Sequence, residues 1–128
     1  MDAPSFDETQ SNRHLNEARA NYKLFEKLRD QQQWGWAAVV LFYSALHLVE
    51  AYKCILHPHL DFKGHSERND YVFDNIRTIN IWYRSLYSMS RSVRYDLFDC
   101  QEVHLKYVEG DYNLLWIEVN KLGFAWEV

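Results

Sequence analysis

The stretch WGWAAVVLFYSALHLVEAYKCIL, residues 34–56, decides the fold. It is apolar enough to be a core helix, and it ends where Pro58 cannot continue a helix and Gly64 allows a sharp change of direction. At about 100° per residue, Ala38, Leu41, Ala45, Val49, Tyr52 and Leu56 share one side, and Trp36, Val40, Tyr43, His47, Glu50 and Cys54 share the opposite one. Both sides are largely apolar, so the helix belongs at the centre of the molecule. His47 and Glu50 then require partners, because a carboxylate in apolar surroundings is costly unless a cation meets it. Arg94, Arg91 or Lys53 is expected to meet Glu50, and Tyr43 is a candidate partner for His47.

Upstream, Leu15, Ala18, Tyr22, Phe25 and Leu28 recur at three- and four-residue spacing, which predicts an amphipathic helix capped by Ser5 or Asp7. RDQQQWG is the turn between the two helices. Downstream, HSERNDYVFDNIRTI predicts a third helix with Ser66 as its cap and Tyr71, Phe73, Ile76 and Ile79 on its apolar side. NIWYRSLYSMSRSVRYDLF predicts a fourth, with Trp82, Leu86, Met89, Val93 and Leu97 inward and Arg84, Ser88, Arg91 and Tyr95 as a polar stripe. Residues 101–122 align Val108, Tyr112, Leu115, Val119 and Leu122 on one line, with Gly110 as a possible break. The closing GFAWEV would fray unless Phe124 and Trp126 dock. Without a repeat, a low-complexity tract or a convincing strand, the expected fold is all-α: a four- to five-helix up-and-down bundle forming one domain over 1–128, with 1–7 and 123–128 as tails.

Composition narrows the function. A formal charge of −4 over 128 residues argues against coating nucleic acid non-specifically, which needs a broad basic surface, but leaves room for a local basic site. Cys54 and Cys100 are far apart and lack metal-ligand spacing, so no disulfide framework, metal or cofactor is expected, and reducing cytoplasm is the default location. The polar, acidic start carries no secretory signal. The uncharged run 31–49 opens with QQQ and is interrupted by Ser44 and His47, so its apolar part falls short of the roughly 20 residues that span a bilayer.

HLVEAYKCIL on the second helix, the GHSER after its loop and the later SVRYDLF ahead of the last helix together resemble the HEPN domain, over roughly residues 15–122. In that family a Glu and a Lys three residues later lie on the second helix, a loop His precedes the third, and an Arg-Tyr pair closes the fourth. The corresponding residues are Glu50, Lys53, His65 and Arg94-Tyr95. The resemblance implies a helical bundle, a homodimer, and RNA or a nucleotide as ligand. It also implies a metal-independent endoribonuclease of a toxin–antitoxin or phage-defence system, with a nucleotidyltransferase-type antitoxin as a partner. The family's usual catalytic signature places a His four to six residues after an Arg. Here Arg94 is separated from His104 by nine residues, and no other Arg has a His at that spacing.

Metal-free RNA cleavage needs a base, an acid and positive charge for the phosphorane, roles that suit His and Arg. The candidate catalytic residues are Arg94, Arg91, His65 and His104, and the candidate binding residues are Arg68, Tyr95 and Arg84. Each has a structural alternative: Arg94 as the ion-pair partner of Glu50, His65 and Arg68 as the organisers of a helix start, His104 as a surface residue, Tyr95 as a core or stacking residue. Glu50 and Lys53 are read as structural ionic groups, and HPH at 57–59 lacks a third ligand. Trp34, Trp36 and the Tyr-rich faces exceed what one small bundle buries, which suggests a dimer interface. Three readings follow: an endoribonuclease, a non-catalytic module binding a nucleotide, RNA or a protein, and a purely structural dimeric interaction protein.

Overall fold

The computed structural model describes residues 8–121; the expected caps Ser5 and Asp7, together with Leu122, Phe124 and Trp126, lie outside them. Five helices follow one another: α1 (Glu8–Asp30), α2 (Trp34–Leu56), α3 (His65–Asn75), α4 (Arg77–Tyr95) and α5 (Glu102–Asn120), with no strand among the described residues. The chain is an all-α bundle.

The apolar character of α2 explains the arrangement. It packs along α1 and against α4 and α5, and Ala37, Ala38, Leu41, Phe42, Ala45, Leu48 and Val49 are buried between them. An 18-residue window of α2 has a mean hydropathy of 1.5, so length and composition alone would let it cross a membrane, but most of that window is buried within the bundle, as the reading of α2 as a core helix expects. Its outer side is wetter than predicted: Trp36 is exposed, while Tyr43, His47 and Glu50 are half-buried. Among small polar groups, the Ser44 hydroxyl donates to the Ala18 carbonyl at 2.8 Å and lies 2.8 Å from the Tyr112 hydroxyl, so one neutral chain ties α1, α2 and α5 together.

The apolar stripes of α1 and α5 face the core as their spacing requires, with Ala18, Phe25, Val108, Tyr112, Leu115 and Val119 buried. Gly110 does not divide α5, because its position is open and the helix runs through it. Gly35 lies inside the first turn of α2, where a Cβ would come within 3.2 Å of Val93, so it lets α2 and α4 approach closely. The turn itself is Gln31–Gln33, with Gln32 at φ 60°.

Two boundaries differ from expectation. The α3–α4 break falls at Ile76, which places Ile79 in α4, and α3 starts at His65 with no side-chain cap, so Ser66 is not the cap. Leu97 lies beyond the end of α4 at φ 55° and is 89% exposed, not a core residue; Trp82 packs against the core half-buried, and its neighbour Tyr83 is fully buried.

Candidate functional site

α3 and α4 are antiparallel neighbours joined by a tight break, so the start of the shorter α3 lies beside Tyr87, about two turns before the end of α4. This brings His65 within the field of Arg91 and Arg94 of the other helix, and Tyr43 of α2 stands between them, bonded to Arg94 and packed on the His65 ring. The His65 ring sits against Tyr87 at 5.5 Å, Phe42 at 5.8 Å and Tyr43 at 6.5 Å between centroids. Burial holds its pKa below the ordinary value of 6.5, and the positive fields of Arg68, Arg94 and Arg91 push in the same direction. His65 is therefore a neutral imidazole at neutral pH, packed among aromatic rings with guanidinium charge nearby.

Arg94 donates to the Tyr43 hydroxyl at 2.9 Å and to the Ser90 carbonyl at 3.3 Å, and its guanidinium lies over Tyr43 at 5.6 Å and Tyr95 at 4.9 Å. Arg91 lies over the same Tyr95 ring at 5.3 Å. These contacts are with neutral groups, so they orient the two guanidiniums without cancelling their charge. Tyr95 is 63% exposed and fills no core position.

Glu50 is met by Arg68, whose Nε donates to Glu50 Oε1 at 2.9 Å, both side chains being largely covered. The expected partners Arg94, Arg91 and Lys53 are not used. Glu50 lies near the end of α2 where α3 begins, whereas Arg94 reaches α2 two turns earlier, at Tyr43. Lys53 is buried and extends to Asp61 at 3.9 Å. His47 does not bond Tyr43 either: its Nδ1 lies 2.9 Å from Nδ1 of His14, with the rings stacked at 5.2 Å, and His14 Nε2 is 4.0 Å from Glu50 Oε2. Burial lowers the pKa of both, opposed at His14 by Glu50 and reinforced at His47 by His14. His14 was missed in the sequence. The available signal was a histidine one turn before buried Ala18, continuing the inner stripe of α1.

A single polar chain thus runs His47, His14, Glu50, Arg68, His65, the last link being 3.3 Å from Arg68 to His65 Nδ1. An arginine can only donate, so His65 Nδ1 accepts and the neutral ring carries its proton on Nε2. Presented this way, His65 offers a ligand a hydrogen-bond donor and not a lone pair.

The remaining candidates separate. Arg84 lies on the same side of α4, bound to Asn69 of α3. His104 stands at the start of α5, where its Nδ1 accepts from the Gln101 amide at 2.9 Å and its ring packs on Phe98 at 4.9 Å, so it closes a capping box and makes no hydrogen bond or ring contact with Arg94 among the described residues. In the HPH segment His57 bonds the Tyr71 hydroxyl at 2.8 Å, and no metal-ligating cluster of three residues occurs among the described residues. A cleft of about 460 Å³ between the start of α2 and the α4–α5 connection, lined by Trp34, Trp36, Phe98 and Asp99 among others, contains no basic side chain.

No protein-family model matches the chain, and neither the curated proteins nor the solved structures provide a match.

Proposed function

We propose that this protein is an HEPN-like module that binds RNA or a nucleotide through the phosphate, at the junction of α3 and α4. The observation that carries the reading is the pair of Arg91 and Arg94 over one exposed tyrosine, Tyr95, both guanidiniums being held by neutral aromatic partners, with Arg94 also bonded to Tyr43, a ring against which His65 packs. Planar guanidiniums match phosphate oxygens in pairs, and Tyr95 offers a face on which a base can stack. Arg68 is already matched by Glu50, so its role is to fix the tautomer of His65.

Binding without cleavage is the better reading, because the lone pair of His65 is directed at Arg68 and is not available to a 2′-hydroxyl. An endoribonuclease is the second reading, favoured by the gathering of one histidine and three arginines. It would need a second proton-transferring group, since His104 is engaged elsewhere. The homodimer, the nucleotidyltransferase-type partner and the toxin–antitoxin or defence setting implied by the resemblance belong to the same proposal.

The test is fluorescence anisotropy with a labelled RNA 12-mer in EDTA, alongside analysis of the RNA ends. Binding with intact RNA, weakened about tenfold or more in Arg94→Ala through loss of a charged hydrogen bond, supports the module. Cyclic phosphate ends that disappear in Arg94→Ala and His65→Ala would establish the nuclease. Unchanged binding in Arg94→Ala with the fold intact overturns both.

A further inference from the structure

α4 carries Arg77, Arg84, Arg91 and Arg94 and not one Asp or Glu, in a chain whose net charge is −4. Arg77, Arg84 and Arg91 are spaced by seven residues, two helical turns, so they form one stripe about 21 Å long. Contacts with α3 place Arg77 and Arg84 on the side that faces it, and the spacing carries Arg91 along the same line. Arg77 lies over the Phe73 ring at 4.9 Å. Arg84 donates at 2.9 Å to the Asn69 side-chain oxygen, in the amide orientation that also lets the Asn69 nitrogen donate to the His65 carbonyl at 3.2 Å. Arg91 continues the same seven-residue spacing and lies over Tyr95, at the other end of the stripe. Positions 73, 69 and 65 are one face of α3 read at four-residue spacing, so the stripe follows the α3–α4 seam and ends at the site described above.

All three arginines are exposed, and none forms an ion pair among the described residues, whereas Arg29, Lys53, Arg68, Lys106 and Lys121 each do. The carboxylates nearest in sequence on α3, Glu67, Asp70 and Asp74, make no ion pair with them; Glu67 accepts from the Lys63 amide. Aromatic rings stand at both ends of the stripe, with Phe73 50% and Tyr95 63% exposed. Uncancelled cations in line with exposed rings are what a single strand requires, a charged path for the backbone and faces for bases.

We infer that the α3–α4 seam is the track of a single-stranded nucleic-acid segment, whose phosphates meet Arg91, Arg84 and Arg77 in turn as the strand leaves the His65 site. This deepens the phosphate-binding function proposed above and rests on it. It makes the ligand an oligonucleotide several nucleotides long and not a free mononucleotide.

The experiment uses a labelled 2′-O-methyl U12, which cannot be cleaved through its 2′ position, with U3 and UMP as competitors, over a salt series. Each phosphate neutralised on a single strand contributes about 0.7 to the slope of log affinity against log salt. The expected slope magnitude is about 2 or more, with U12 bound more tightly than U3 or UMP. Arg77→Gln/Arg84→Gln should lower the slope by about 1.4 and weaken U12 but not UMP, while Arg77→Lys/Arg84→Lys keeps the slope; thermal melts verify that each variant is folded. If the glutamine pair leaves U12 binding and slope unchanged while Arg94→Ala still removes UMP binding, the track is wrong and the site stands. If polyglutamate displaces U12 as effectively as unlabelled U12, the seam recognises acidic protein and the inference falls. If neither U12 nor UMP binds, the site and the track fall together.

Discussion

The seam between α1, α2 and α5 and the seam between α3 and α4 solve opposite problems. In the first, polar groups meet one another across the helices: Ser44 meets the Ala18 carbonyl and the Tyr112 hydroxyl at 2.8 Å, His14 meets His47 at 2.9 Å and Arg29 meets Glu109 at 2.8 Å, while Phe25, Leu41, Leu115 and their neighbours fill the interior. In the second, the cations outnumber their partners, and aromatic or amide contacts hold them in place without neutralising them. One seam spends its contacts on holding the bundle together. The other leaves electrostatic work undone, and an anionic ligand would complete it.

The contrast can be broken most severely in the first seam. Phe25→Ala leaves a cavity at a fully buried position and should cost about 3–5 kcal/mol in denaturant unfolding, whereas Arg77→Gln should stay within about 0.5 kcal/mol; equal losses would erase the distinction between the seams. Glu50→Ala strands Arg68 and should cost about 3 kcal/mol. Replacing the pair by Glu50→Leu/Arg68→Met should recover most of that while weakening RNA binding, since His65 then loses the group that sets its tautomer. Ser44→Ala leaves the buried Tyr112 hydroxyl short of a partner and should cost about 1–3 kcal/mol, with no change in the salt dependence of ligand binding.

The smallest and most discriminating effect is that of pH. His14, His47 and His65 all have folded-state pKa values below the ordinary 6.5, burial being the main cause. The unfolded chain therefore binds more protons just below that value, so their contribution to stability is complete above about pH 6.5 and is lost as pH falls through the lower folded values. Unfolding midpoints should drop between pH 7.5 and 5.5, and the double variant His14→Gln/His47→Gln should flatten that dependence. A drop of the same size in the variant would assign the effect to other groups.

The bundle was legible because its signal is repeated. Ala18, Phe25, Leu41, Val49, Tyr112 and Val119 recur at helical spacing, and each turn corroborates the one before it. The stripe of Arg84, Arg91 and Tyr95 was legible for the same reason. Pairings across helices were not, because periodicity fixes a face and not the height at which two helices cross. Glu50 therefore gained Arg68 in place of Arg94, and His47 gained His14 from a helix that spacing alone marks as merely amphipathic. Leu97 looked like the next core position of α4, but the helix ends at Tyr95, two residues too soon to bury it.

Tyr43 and Glu50 sit two turns apart on α2 and each engages one arginine from elsewhere in the chain. A phenol and a carboxylate on the same rod thereby sort the two into an available charge and a committed one. The chemical identity of position 43 acts as a setting: a neutral oxygen there leaves Arg94 free to greet an anion, and an acidic one would silence it without moving the backbone.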